Sequence, residues 1–356
     1  MVLEAPSRCT AGPLRLSCVD PTSYAGWDGL LAKHPGATFF HTAAWSSALI
    51  HAYGFTPQYL AAIDSGRLVA LLPMMECASW LRGRRGVSLP FTDECSPLGS
   101  GEFDADRLFS AGLEHGRSRG WRSLEVRSVC GRASADSSLS FVGHRLSLQK
   151  SSVHLFDHCE SSTRGAIRKA EKSALTVGVH TDLASLAAYY RLHCRTRQKH
   201  GVPPQPFTFF RAIADHVLSN GRGFVVLASK GGQPVAGAVF FHFNGRAVYK
   251  FSASDERFQE CRGPNLVIWA ALQHLQQLGC TELTFGRTSM ANEGLRRFKA
   301  GFGAEEYSIR YSHYSFKQQS FVSQVDRAEG PTRRLFRLLP LPLSRLIGAA
   351  AYRHMA

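Results

Sequence analysis

The 356-residue sequence is short of acidic side chains: 27 Asp and Glu stand against 42 Lys and Arg, a formal charge of +15. An excess of that size implies an anionic partner (phosphate, nucleic acid or an acidic membrane face) or solubility alone, and it says nothing about fold. No stretch reaches the roughly 18 uninterrupted apolar residues of a spanning helix. The amino-terminal MVLEAPSRCTAGPLRL lacks the apolar core of a secretory signal, so a cytoplasmic location is expected. The nine cysteines (Cys9, Cys18, Cys77, Cys95, Cys130, Cys159, Cys194, Cys261 and Cys280) are odd in number, evenly spread and without a C-x-x-C pair. That pattern excludes a disulfide framework and a zinc finger and points to a reducing compartment. There is no P-loop, no G-x-S-x-G, no H-E-x-x-H and no G-x-G-x-x-G after a strand. The 15 histidines lack metal-ligand spacing, so no metal site is expected. The cysteines, having no assignable His partner, read as small buried apolar residues.

The chain has enough apolar and aromatic residues, 44% and 11%, to bury a core, and its length suggests two domains. Two segments repeat one order of elements. YLAAIDSGRLVALLPMM from Tyr59 and FVVLASKGGQPVAGAVFFHF from Phe224 each read as a hairpin. A helix follows in each, over 105–120 and 265–279, then a last strand in which Leu124 and Leu283 hold matching places. The second helix is marked by Leu266, Trp269, Leu272 and Leu275, with Pro264 at its start and Gly279 at its end. Repetition of the order implies a duplicated α+β domain. The expected division is 14–160, 161–325 and a tail, 326–356.

Three further segments carry charge or helix signals. In SSTRGAIRKAEKSALTVGV, Arg164, Arg168 and Lys172 share one helix face, with Ser161 or Ser162 as cap; either a solvated face or an anion site fits. A helix from Leu183 through His193 ends before GVPPQP, and His193 on its apolar face reads as a core histidine. The tail from Pro331 holds Arg333, Arg334, Arg337, Arg345 and Arg353 and no acid, with leucines around its prolines. It reads as a helix packed on the protein body or as one lying in an anionic membrane interface. Finally, the strand–loop–helix junction over 250–267 offers a helix N-terminus after glycine, a ready anion site.

Several motifs, taken in order, make the chain resemble the FemAB family of aminoacyl- and acyltransferases. They are FFHTAAW (39–45), LPF (89–91) with Pro97-Leu98-Gly99, AIRKAEK (166–172), RTRQKHGVP (195–203), VYKFSASD (248–255), FGR (285–287) and RFKAGFG (297–303). The likeness runs from about Leu16 to Phe316 and implies two tandem GNAT-like domains, mixed sheets flanked by helices. It also implies transfer of an acyl or aminoacyl group onto an amine of a cell-envelope or exopolysaccharide precursor. The donor is an acyl-CoA or an aminoacyl-tRNA, with no tightly bound cofactor. In GNAT enzymes an R/Q-x-x-G-x-G/A loop cradles the donor pyrophosphate; here it is degraded to Arg262-Gly263-Pro264-Asn265, and Arg262, Gly263 and Asn265 are the expected donor contacts.

The same likeness maps the lysine of an F-K motif to Lys299, after Phe298. A cation there would stabilise the oxyanion on the attacked carbonyl, worth roughly 3 kcal/mol per donor; a lysine closing a surface helix is the plain alternative. His41 and Trp45 map to the acceptor side of a cleft, a core Trp being the other reading. Arg197 is a candidate for an acceptor phosphate or carboxylate, and Tyr249 and Arg287 are expected to face the cleft. Asp93, Glu94 and Asp255 are candidate bases. Two rival functions stay open: a tRNA-dependent peptidoglycan interpeptide-bridge transferase, and a non-catalytic RNA- or membrane-binding protein. Contact with the inner membrane would run through 331–356.

Overall fold

A computed structural model of the chain describes residues 15–99, 103–128, 139–323 and 331–355. Cys9 and Cys130 lie outside the described residues, as do residue 14 and residues 326–330 of the expected divisions. The other seven cysteines carry free thiols, all buried except Cys18.

Both hairpins form where the turn residues require them. Tyr59–Asp64 pairs with Arg67–Leu72 around Ser65 and Gly66, and Gly223–Lys230 pairs with Gln233–Phe243 around Gly231 and Gly232; all four turn residues have positive φ. The two helices that follow span Ala105–Ser118 and Gly263–Gln277. Pro264 stands in the first turn of the second, where its missing N–H costs nothing. The basic segment is the helix Ser161–Lys172, with Glu160 rather than a serine at the capping position. The next helix continues past His193 to Lys199, because nothing before Gly201 breaks it.

Among the described residues, each half contains one parallel strand pair. Gly83–Val87 meets Ser123–Val126 through Gly86↔Leu124, and Arg246–Ser254 meets Glu282–Ser289 through Ala247↔Leu283. Leu124 and Leu283 therefore hold equivalent rungs, as the repeat requires. The second pair is joined only from Arg246↔Glu282 to Val248↔Thr284, and the strands then part.

The halves exchange strands. Leu139–Ser147, which precedes residue 160, pairs between Glu282–Ser289 and Glu305–Ser315 of the second half. In return, the far end of Glu305–Ser315 pairs with Ser123–Val126 of the first. Eleven residues at about 3.3 Å each reach far enough to serve both. A single sheet of 12 strands results, beside a separate four-stranded sheet. A boundary at 160 thus divides the chain but not the sheet. One apolar cluster also crosses the seam, joining Phe39, Trp45 and Tyr59 to Phe209 and Phe241.

Gly86 shows how tightly the first parallel pair is built, since a Cβ there would overlap the Trp121 ring. Gly86→Ala is expected to cost about 1–3 kcal/mol by overpacking, read in urea unfolding. Unchanged stability would contradict this packing.

Candidate active site

The place where the parallel strands part is irregular on both sides. The ladder between Glu282–Ser289 and Leu139–Ser147 breaks between Thr284 and Arg287, so Phe285 and Gly286 stand out of register. Gly286 has φ +64, and a Cβ on it would lie 3.0 Å from the Asp93 carboxylate. Glycine is therefore required for conformation and for approach. Across the gap, Phe240 faces Tyr249 and Val239 faces Phe251, which leaves Lys250 as the extra residue of a bulge. Bulges re-aim side chains, and Lys250 here reaches the first half, donating to Asp93 Oδ2 at 2.8 Å.

Asp93 belongs to the loop 88–97, which holds Leu89 and Phe91 at positive φ. Such backbone is costly unless its surroundings fix it. Arg127 donates to the Thr92 carbonyl at 2.6 Å, Ser88 to that of Cys95 at 3.1 Å, and Tyr311 to that of Asp93 at 2.6 Å. His41 Nδ1 accepts from the Thr38 N–H, so its proton lies on Nε2, which donates to the Ser96 carbonyl at 2.9 Å. Burial draws the His41 pKa down to about 4, so the ring is neutral.

A cavity of about 400 Å³ lies beside this loop, lined by His34, His41, Asp93 and Glu94 of the first half and Arg145, Arg246, Gly286 and Tyr307 of the strands around the splay. Burial works against the Asp93 carboxylate, yet Lys250, then Arg287 and Lys299, hold its pKa below the ordinary range. Glu94 differs. Burial raises its carboxyl above the ordinary value, and the opposing contacts, the Tyr307 hydroxyl at 3.0 Å and the charge of Arg145, do not restore it. Two adjacent carboxylates thus have pKa values pushed apart, the arrangement that separates a base from a fixed charge.

Several expected residues take other roles. Lys299 is 3% exposed, and its ammonium donates to the carbonyls of Phe285 at 2.6 Å and Gly286 at 3.3 Å and to Thr288 Oγ1 at 2.8 Å. An ammonium has three N–H bonds, so no donor remains for an oxyanion. Lys299 instead satisfies the carbonyls of the out-of-register residues. Trp45 is wholly buried against Phe39, Phe40 and Phe209, the core reading, and is absent from the cavity. Arg197 donates to Pro203 O and to the Tyr352 hydroxyl, fastening the tail. Tyr249 packs between Phe240 and Phe285 on the opposite face of its strand. Arg287 lies over the rings of Phe141 and Tyr311 and supports Asp93 by charge. Asp255 cannot serve as a base: hydrogen bonds from Arg257 and the charge of Arg195 hold it at about 2.

Arg262, Asn265 and Phe298 come together elsewhere. They line a second cavity, of about 480 Å³, with Ser162, Lys169 and Arg297. Gly263 packs against Ala236 behind it. On the basic helix, Arg164 bonds the carbonyls of Asp157 and Cys159, and Arg168 covers Phe156. Lys169, outside the expected trio, reaches the cavity. At the junction Pro264 offers no N–H, and that of Asn265 is spent on the Arg262 carbonyl. Phosphate held here would rest largely on side-chain cations.

Lys250, Tyr307 and Arg145 were missed by the reading of the sequence. The one signal was Lys250 itself, a charge inside the apolar strand VYKFSAS. No group of three or more potential metal ligands occurs among the described residues.

Residues 158–308 match the acetyltransferase (GNAT) domain family. The crystal structure of FemX superposes with a TM-score of 0.62 at 13% identity, covering 80% of this chain and 94% of FemX. A tandem GNAT protein from the clavulanic acid biosynthesis pathway gives 0.52 at 12% identity, covering 85% and 98%. At these identities the likeness concerns fold, and the fold is that of tandem GNAT proteins. No curated protein sequence matches the chain.

Lys299→Met removes three hydrogen bonds and leaves buried carbonyls unpaired. It is expected to cost about 2–4 kcal/mol in urea unfolding at pH 7. Burial draws the Lys299 pKa from 10.5 to about 8. The unfolded chain therefore binds more protons between pH 8 and 10.5, and wild-type stability should rise through that window relative to the variant. A difference independent of pH would contradict the assignment.

Proposed function

We propose that the protein is an N-acyltransferase that moves an acyl or aminoacyl group onto an amine of a cell-envelope or exopolysaccharide precursor. The observation that carries this reading is Glu94. It is a half-buried carboxylate with a raised pKa, in a cavity shared by both halves and beside the gap where the parallel strands part. An acceptor amine arrives as an ammonium and must lose a proton to attack. Glu94 takes that proton, the nitrogen bonds to the acyl carbon, the bond from that carbon to the donor's sulfur or oxygen breaks, and the departing thiolate or alkoxide takes the nitrogen's second proton and leaves as a thiol or hydroxyl. Tyr307 orients the carboxylate. Asp93, Lys250 and Arg287 hold the loop and keep the local charge positive where the oxyanion develops; Lys299 assists only by charge and by fixing the strand.

The donor's phosphates fit the second cavity, where Lys169, Arg262 and Arg297 gather. Acyl-CoA and aminoacyl-tRNA both present phosphate, and acyl-CoA is the reading preferred here. The spent amides at Pro264 and Asn265 are what keep a tRNA donor, and with it a peptidoglycan-bridge acceptor, as the second reading.

Glu94→Gln should lower kcat/KM by about 10²–10⁴-fold, measured by mass spectrometry of product from acyl-CoAs or aminoacyl-tRNA with amino-sugar and peptide amines. Glu94 acts when ionised, so wild-type kcat/KM should fall as pH drops through its pKa. Because burial raises that pKa, the limb should lie above the ordinary 4.5 and vanish in the variant. An unchanged rate and profile would overturn the role. Salt-sensitive RNA binding with no transfer from either donor would favour a non-catalytic protein.

A further inference from the structure

The hairpin of Met75–Ser79 and Gly83–Val87 ends in a tip whose side chains are largely exposed. Trp80 is 85% exposed and Leu81 is 61% exposed. The C-terminal helix, Leu341–Met355, packs beside this tip: Ser79 Oγ and His354 Nδ1 lie 2.9 Å apart, and the Trp80 ring meets His354 edge-on. Ser344, Gly348 and Tyr352, at four-residue spacing, are the helix's buried side. Tyr352 is anchored to the Pro203 carbonyl at 3.2 Å, and Gly348 lies against the backbone of Pro204. That side fixes the rotation of the helix, so its opposite side presents Leu343 and Leu346, the latter 68% exposed. The preceding helix, Pro331–Leu338, ends in Leu338 at 83% exposure.

Exposed arginines surround these apolar groups: Arg82, Arg84, Arg334, Arg337, Arg345 and Arg353. No acidic residue occurs from Cys77 to Thr92 or from Pro331 to the end. A cleft of about 450 Å³ between tip and helix is lined by Trp80, Arg84, Arg353 and His354. A second copy of the chain would bring arginine against arginine, so self-association does not suit this surface. Tryptophan and leucine ringed by arginine match the boundary between anionic headgroups and acyl chains, where aromatic rings and cations both gain. No described helix is long and apolar enough to cross a membrane, so contact would be superficial.

We propose that the Trp80-Leu81 tip and the outer face of Leu341–Met355 form one surface that docks on an anionic lipid bilayer. This stands whether or not the central cavity transfers acyl groups. It assigns insertion to a hairpin far from the tail in sequence, with the tail helix as its neighbour rather than as the sole anchor.

The protein supplies its own probe. Of five tryptophans, Trp27, Trp45, Trp121 and Trp269 are buried, so fluorescence open to a soluble quencher comes from Trp80. Vesicles of phosphatidylglycerol and phosphatidylcholine should shift the emission to the blue, lower acrylamide quenching severalfold and carry the full-length protein down in sedimentation. Binding should weaken with salt and be far lower on pure phosphatidylcholine. The double variant Trp80→Ser with Leu81→Ser removes only exposed side chains and should keep the wild-type melting temperature while losing about tenfold in vesicle affinity. Leu343→Ser with Leu346→Ser should weaken binding in the same direction. The proposal is overturned if vesicles change neither emission nor sedimentation, if the tip variant binds as wild type, if phosphatidylcholine binds equally well, or if a single-stranded oligonucleotide protects Trp80 where vesicles do not.

Discussion

Lys250 and Asp93 are 157 residues apart and meet at 2.8 Å in the seam between the halves. Both are desolvated there, so each depends on the other: removing one partner of a buried pair leaves an uncompensated charge and costs far more than the pair contributes net. The contact needs two unusual pieces of backbone. Lys250 points across because it is the bulged residue of its strand, and Asp93 comes close because Gly286 has no side chain. With that ion pair in place, Glu94 is carried into the cavity beside Tyr307 and the loop 88–97 keeps its positive-φ residues.

The strand exchange gives this contact its rigidity. Leu139–Ser147 and Glu305–Ser315 each serve the sheet of the other half, so the cavity walls cannot separate without breaking ladder hydrogen bonds. Exchange has a cost at the splay, where the carbonyls of Phe285 and Gly286 lose ladder partners. Lys299 meets that need. A lysine that the FemAB likeness places at a reaction centre thus stands behind the cavity, holding the strand that lines it.

What could be read beforehand follows from the range of the signal. Hairpin turns, the helix opened by Pro264 and closed before Gly279, and the matching rungs of Leu124 and Leu283 are local patterns with local causes, and their repetition implied the duplicated fold. Glu94 and Asp93 were legible only as candidate bases; their opposite pKa shifts depend on burial, which raises Glu94, and on Lys250, which the chain brings from far away to lower Asp93. Trp45 and Arg197 show the limit most plainly. An aromatic beside a polar residue reads the same in a core as in a cleft, and nothing near Arg197 announces that Tyr352 will receive its guanidinium. The bulge that turns Lys250 inward leaves only one trace, a charge in the middle of an otherwise uncharged run, AVYKFSAS.

A double-mutant cycle on Asp93→Asn and Lys250→Met, read by urea unfolding, tests the seam most directly. Each single variant should be strongly destabilised and the double variant less so than the sum, giving a coupling of about 1–3 kcal/mol. Strict additivity, with each variant folded and near wild-type stability, would show that this ion pair does not hold the halves around the cavity.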